Sequence, residues 1–174
     1  MEGGQIMNKY NSGFSNYKGP GAKLRHRNPK QMYFVSNSNI SLDRLKHSNL
    51  GEYTESNRPK SGGHGQDSID YMDKNNIPYE ITKEYNNGVR VGNLPTSTNK
   101  LFRSGSNHTW FPKEWTSKDI ENAANYILST YKGVRTPRTS HSSVYKNVRV
   151  TITFGEGGLI STTFPSKKQG GKRK

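Results

Sequence analysis

The sequence predicts an α+β fold in which helices pack on antiparallel strands. One segment carries apolar residues at helical spacing, and another alternates apolar and polar residues as a half-buried strand does. No succession of strand, helix and strand indicates a parallel sheet. The helical face comprises Ile120, Ala123, Ala124, Ile127 and Leu128, and the alternating segment presents Val148, Val150, Ile152 and Phe154.

The chain length of 174 residues fits one domain. Hydrophobic residues make up 28% of the sequence, and the mean hydropathy is −1.03, so the core is expected to be small. Low complexity and clustered basic residues predict a flexible basic arm over residues 1–30 and a basic tail over residues 166–174. The globular domain is expected over residues 31–165.

The first half of this domain contains two short predicted helices. Leu42 and Leu45 predict a helix that ends near His47, and a second helix is expected over residues 67–76. The polar, glycine-rich residues 48–65 between them are expected to form a loop. Strands are then predicted at residues 79–85 and 89–91, joined by a turn at Asn87 and Gly88.

The second half contains the main helix and a closing hairpin. Thr116 or Ser117 is a suitable N-cap, Asp119 is acidic in the first turn, and Lys132 with Gly133 is expected to end the helix. Residues 147–154 and 159–165 are expected to pair across the glycine-rich turn at 155–158.

Charge and composition narrow the classes of function. Lysine and arginine number 27 against 13 acidic residues, which gives a net charge of +14 and an isoelectric point near 10.0. This balance favours an anionic partner such as nucleic acid, a membrane surface or an acidic protein. The absence of cysteine excludes disulfides, thiolate zinc sites and a cysteine nucleophile. No apolar run is long enough to cross a bilayer, and no amino-terminal segment has the charged and then apolar pattern that is typical of a signal peptide.

Two histidines, His47 and His64, flank the polar stretch and are candidates for acid–base catalysis. RNA is cleaved without metal when its own 2′-hydroxyl is deprotonated and the leaving oxygen is protonated, and imidazoles do both near neutral pH. Lys100 is a candidate for the cation that stabilises the transition state. The N–H of Gly63 could approach a phosphate, and the hydroxyls of Ser104 and Thr162 could hold the substrate.

Three segments resemble the EndoU-type endoribonucleases, and in particular bacterial EndoU toxin domains. The first is the pattern of His47, then Gly51-Glu52, then Gly62-Gly63-His64. The second is residues 109–120, which are similar to the stretch ahead of that family's main helix. The third is the pair of closing strands ending in Thr162-Thr163-Phe164-Pro165. The resemblance spans about residues 42–165.

The resemblance implies an EndoU-like fold of two small lobes and metal-independent cleavage of RNA to a 2′,3′-cyclic phosphate. It implies that His47 and His64 are the catalytic pair, that Lys100 is the catalytic lysine, and that Ser104 and Thr162 contact the substrate. Phe164 stands where many members carry a base-stacking tyrosine, which leaves the base preference open. Arg103 and Lys113 remain alternatives to Lys100.

The expected cofactor set is empty, although some members of the family respond to manganese. Because no metal-ligand cluster is visible, His26, His108 and His141 are assigned to solvent or local structure, with His108 as a further candidate to line the site. The aromatic residues near the main helix favour a core over a base-stacking platform. These residues are Trp110, Phe111, Trp115 and Tyr131.

The resemblance also implies partners and a setting. RNA, with tRNA as the favoured target, is the expected substrate, and an acidic immunity protein is the expected inhibitor of a toxin that is secreted or delivered into a target cell. No membrane partner is expected. A non-catalytic basic RNA-binding protein is the alternative, but it leaves the ordered set of His47, His64 and Thr162 unexplained.

Overall fold

The computed structural model describes residues 39–95 and 106–170. These residues form three helices and three small antiparallel sheets, which confirms the predicted α+β class. The helices are α1 (Leu42–Asn49), α2 (Gln66–Lys74) and α3 (Ser117–Ser129), with a 3₁₀ turn at Glu156–Gly158. The strands are β1 (Glu52–Tyr53), β2 (Pro59–Ser61), β3 (Glu80–Glu84), β4 (Arg90–Asn93), β5 (His108–Trp110), β6 (Ser140–Tyr145), β7 (Val148–Phe154) and β8 (Ile160–Pro165).

The sheets contain more strands than the sequence pattern predicts. The closing hairpin β7–β8 is correct, but β6 pairs with the other edge of β7 to make a three-stranded meander. Residues 48–65 are not all loop, because β1 pairs with β2. Strand β5 joins β3 and β4 in the order β3-β4-β5. The missed strands are short or rich in serine, so they carry little apolar alternation.

Helix α3 begins as predicted and ends earlier than predicted. Thr116 is the N-cap, and it forms a capping box in which its side chain accepts from the N–H of Asp119 while the carboxylate of Asp119 accepts from the N–H of Thr116. Such a cap stabilises a helix by about 1 kcal/mol. The last helical residue is Ser129, ahead of the predicted stop at Lys132 and Gly133.

The described side chains pack into two hydrophobic clusters. The larger cluster lies between α3 and the sheet of β6, β7 and β8, and the smaller one surrounds Met72 of α2. Trp110 belongs to the smaller cluster and Phe111 to the larger, and both are fully buried. Trp110 and Phe111 are therefore core, as expected, and Trp115 and Tyr131 are partly buried against the larger cluster. The segment from β5 into Phe111 joins the two clusters.

The last described residues are held against the domain. The N–H of Ser166 donates to the carbonyl of Arg149, and the hydroxyl of Tyr85 donates to the carbonyl of Lys167. The predicted arm over residues 1–30 lies outside the described residues. Among the helices that the structure describes, none is both long enough and apolar enough to cross a membrane.

Candidate active site

The carboxyl end of α1 is bound to the loop that carries His64. The last carbonyls of a helix lack partners within the helix. Here Gly63 N–H donates to the carbonyl of His47 at 2.9 Å, His64 N–H to that of Ser48 at 2.6 Å, and Gly65 N–H to that of Asn49 at 2.9 Å. These three bonds bring the two predicted catalytic histidines to one seam of backbone.

Two glycines permit this close approach. A Cβ at Gly62 would lie 2.1 Å from the carbonyl oxygen of His47, and one at Gly65 would lie 1.7 Å from the side-chain oxygen of Asn49. Gly62 also has a φ of 71°, a backbone conformation that residues other than glycine adopt only at a cost in conformational energy. The glycines of the motif thus serve to bring α1 and the loop together.

His47 is oriented by a carboxylate. Its Nδ1 donates to Oε2 of Glu52 at 2.9 Å, and Oε1 of Glu52 accepts from the hydroxyl of Ser61 at 3.0 Å. These hydrogen bonds from His47 and Ser61 lower the pKa of Glu52, so this carboxyl stays ionised. With Nδ1 engaged, Nε2 is the nitrogen of His47 that can exchange a proton with a ligand.

His64 is oriented by the backbone of β5. Its Nδ1 donates to the carbonyl of Thr109 at 2.7 Å, and its own carbonyl accepts from the N–H of Phe111 at 2.7 Å. Because a carbonyl only accepts, the proton of the neutral ring lies on Nδ1, and Nε2 carries the lone pair. His64 thus presents a basic nitrogen, whereas its other nitrogen is fixed by the fold.

A third histidine stacks on His64. The rings of His64 and His108 lie 4.5 Å apart with an interplanar angle of 9°, and Nε2 of His108 donates to the carbonyl of Gly63 at 2.8 Å. Burial, and then the neighbouring His108, lower the pKa of His64 well below its ordinary value. Burial also lowers the pKa of His108. His64 is therefore neutral at neutral pH.

Strand β8 forms the other wall of the site. The hydroxyl of Ser48, next to His47, lies 3.4 Å from the hydroxyl of Thr162 and accepts from the N–H of Thr163 at 3.0 Å. Two residues further on, the ring of Phe164 lies 5.3 Å from that of His64. Since side chains alternate along a strand, Thr162 and Phe164 share a face.

An open cavity of about 250 Å³ lies between β5 and the end of β8. This volume is slightly below the range of about 300–1,000 Å³ that is usual for ligand pockets. Its lining combines aromatic rings, polar side chains and a lysine. The lining residues are His64, Ser106, Asn107, His108, Thr109, Phe164, Pro165 and Lys167.

The structure brings together His47, His64, Thr162 and Phe164 from the predicted set. Lys100 and Ser104 lie outside the described residues, as does the alternative cation Arg103. The other alternative cation, Lys113, is exposed and does not line the cavity.

The structure corrects the role predicted for Gly63 and decides between the roles predicted for two histidines. The N–H of Gly63 donates to the carbonyl of His47, so it is not directed at a phosphate, and Gly63 belongs to the framework of the site. His108 lines the cavity, which is the further role predicted for it, and His141 is a local structural residue that contacts the hydroxyl of Thr130 at 2.8 Å. His26 lies outside the described residues.

Three residues of the site carry little signal in the sequence. Glu52 was visible as part of the motif, but its role as the partner of His47 depends on the fold. His108 comes from a strand that the pattern did not predict. Lys167 belongs to the predicted basic tail, and only the folded chain shows that it lines the cavity.

Among residues 39–95 and 106–170, no three acidic or histidine side chains cluster in a way that could hold a metal ion. The site instead has two imidazoles, each held at Nδ1 by a fixed acceptor, and His64 of this pair lines the open cavity. Imidazoles held in this way can exchange protons with a ligand through Nε2.

Comparison with protein families identifies the class more closely. The chain matches the family described as Bacterial EndoU nuclease over residues 41–167, and it belongs to that family. The protein is therefore an EndoU-type nuclease with the α+β fold described above. Comparison with curated proteins and with solved structures gives no significant match.

Proposed function

We propose that this nuclease cleaves RNA internally and without a metal ion, by transesterification through the 2′-hydroxyl. The observation that carries the proposal is that the imidazoles of His47 and His64 are held in the same way. Each donates from Nδ1 to a fixed acceptor, and the two side chains belong to backbone segments joined by three consecutive hydrogen bonds. Two oriented imidazoles are the minimum set for this reaction.

In the proposed reaction His64 is the general base. Its Nε2 takes the proton of the 2′-hydroxyl, and O2′ then forms a bond to phosphorus. The lowered pKa of His64 supports this role, because the ring holds a lone pair at neutral and mildly acidic pH.

His47 is the proposed general acid. The bond from phosphorus to O5′ breaks, and Nε2 of His47 gives its proton to O5′. The products are a 2′,3′-cyclic phosphate and a 5′-hydroxyl. The ionised carboxylate of Glu52, 2.9 Å from Nδ1, supports this role because it balances the charge of a protonated ring.

Lys100 is the proposed cation for the charge that builds on phosphate oxygens, by resemblance to the family. Lys167 is at the cavity and adds positive charge there. We expect Lys100→Ala to lower kcat by about a hundredfold or more. Arg103→Ala, Lys113→Ala and Lys167→Ala serve as comparisons, and a larger loss in any of them would reassign the role.

The first test of the proposed function is cleavage of total tRNA by the purified protein in excess EDTA. We expect fragments with cyclic phosphate ends and 5′-hydroxyl ends, mapped by end-specific ligation. Manganese is then added back, and stimulation is compared with the EDTA rate. Binding of RNA without cleavage under either condition would favour the non-catalytic RNA-binding alternative.

We further propose that the protein acts as an antibacterial toxin domain, with tRNA as target and an acidic immunity protein as inhibitor. The net charge of +14 supports both an RNA substrate and an acidic inhibitor. Induced expression in bacteria is expected to arrest growth and to deplete intact tRNA. Expression of His47→Ala should do neither, and unchanged tRNA during wild-type arrest would move the target elsewhere.

A further inference from the structure

A second cavity, of about 480 Å³, lies at the opposite end of β8 from the histidine cavity. The start of α1, the start of β8 and the 3₁₀ turn at Glu156–Gly158 surround it. Its lining residues are Asn39, Ser41, Arg44, Arg135, Gly155, Glu156, Gly158, Leu159, Ile160 and Ser161.

Two arginines give this cavity its charge. Arg44 and Arg135 are exposed, and Glu156 is the acidic residue among the lining side chains. In the part of the chain that the structure describes, ion pairs join His47 to Glu52 and Lys118 to Glu121, and neither arginine takes part in one. Two guanidinium groups without carboxylate partners are suited to bind an anion, and the planar group matches phosphate.

Helix α1 and strand β8 connect this cavity to the site of the histidines. Arg44 precedes His47 by three residues of α1, about 4.5 Å along the helix axis. Ser161 precedes Phe164 by three residues of β8, which is about 10 Å along the strand. Thr162, which contacts Ser48, lies between the two cavities. A single RNA strand spans the distance of about 10 Å along β8 with about two or three nucleotides.

We propose that the arginine cavity, defined by Arg44 and Arg135, binds a backbone phosphate of the RNA substrate that flanks the cleaved nucleotide. The site rests on the proposed function for its substrate class. It adds a subsite that strengthens the binding of longer RNA strands and takes no part in the chemistry at the cleaved bond. Phosphate contacts of this kind position a nucleic acid without reading its bases.

The test compares two double variants that remove the same charge. Arg44→Gln with Arg135→Gln removes both positive charges of the arginine cavity, and Lys74→Gln with Lys132→Gln removes two exposed cations that do not line it. Binding is measured with a 2′-O-methyl RNA strand of about eight nucleotides, which carries no free 2′-hydroxyl and is not cleaved. Cleavage is measured on the matching RNA strand and on a dinucleotide.

We expect the arginine double variant to bind the longer strand about tenfold more weakly than the lysine double variant. Loss of the one phosphate contact should make the slope of log affinity against log salt shallower by about 0.7. KM for the longer RNA should rise with kcat unchanged, and cleavage of the dinucleotide should not change. Circular dichroism and thermal melting check that both double variants are folded.

Equal affinity and equal salt slopes in the two double variants would overturn the proposal and leave the arginines available to a protein partner. A tenfold loss of affinity together with a wild-type protein that cleaves nothing would support the arginine cavity and refute the proposed function. A wild-type protein that neither binds nor cleaves RNA would refute both.

Discussion

His47 and His64 meet along one backbone seam but lie in opposite electrostatic surroundings. His47 lies in the last turn of α1 and donates to the carboxylate of Glu52, which balances a positive ring. His64 donates to the neutral carbonyl of Thr109 and stacks on a second imidazole, so a positive ring is disfavoured there. Two identical side chains can thus take opposite roles because their neighbours differ.

Loss of either imidazole should lower the rate of RNA cleavage more than any other substitution considered for the two histidines. We expect His47→Ala and His64→Ala each to lower cleavage by about a thousandfold or more, since each removes a proton-transfer step. Binding of a 2′-O-methyl RNA strand should stay within about threefold of wild type. Rates are measured in single-turnover assays, and near-full activity in either variant would remove that histidine from the mechanism.

The Glu52 partner distinguishes the two histidines most directly. Glu52→Gln keeps a hydrogen-bond acceptor for Nδ1 of His47 but removes the charge, so we expect kcat to fall by about tenfold to a hundredfold. Ser61→Ala removes the hydroxyl that contacts the same carboxylate and should cost less. A substrate with a good leaving group at O5′ needs no general acid, and it should rescue Glu52→Gln if His47 is the acid.

A substitution at Phe164 tests whether this ring binds the nucleobase of the substrate or positions the imidazole of His64. Phe164→Leu keeps apolar volume and loses the ring, and base stacking on a ring contributes about 1–3 kcal/mol. We expect KM to rise about tenfold while kcat changes little, as measured on short RNA strands. A fall in kcat at constant KM would instead make Phe164 a positioning residue for His64, whose ring lies 5.3 Å away.

The stacked His108 should set the pH range of the base. Because the pKa of His64 is lowered, the acidic limb of the kcat/KM profile should lie below the ordinary histidine value near 6.5. His108→Gln can still donate to the carbonyl of Gly63 but removes the second imidazole, so the limb should move to higher pH. The other charged groups near His64 are His47 and Lys167, and they are unchanged in this variant.

Stability should depend on pH through the same pair. His64 and His108 have lowered pKa values in the folded chain, so the unfolded chain binds more protons below about pH 6.5. Their contribution is complete above that pH and is lost as pH falls toward the folded pKa values. The melting temperature should therefore fall on acidification, and less steeply in His108→Gln than in wild type.

The sequence was sufficient for the elements that carry strong local signals. Helix α3 combines a capping box with a continuous apolar face, and β7 alternates strictly, so both were predicted. Strand β6 was missed because its serines and His141 give no apolar alternation. Its place in the sheet follows from its antiparallel pairing with β7, which the local sequence of β6 does not encode.

The site was predicted in part, for a physical reason. His47, His64 and Thr162 belong to local motifs, whereas the stacking of His108 on His64 arises when β5 packs beside β8 and the loop. The backbone bond from Gly63 to His47 likewise joins two segments that only the folded chain brings together. Motif spacing identifies such residue types, but hydrogen-bond partners across the fold decide what each one does.

The three hydrogen bonds from residues 63–65 to the carbonyls of α1 have a consequence for local unfolding. Fraying of the end of α1 would break these bonds, so we expect the end of α1 and the His64 loop to open together. The amide protons of Gly63, His64 and Gly65 should exchange with deuterium at a common, slow rate. Backbone opening that separates α1 from this loop would displace both imidazoles together, so the proposed general acid and general base would be lost as a pair.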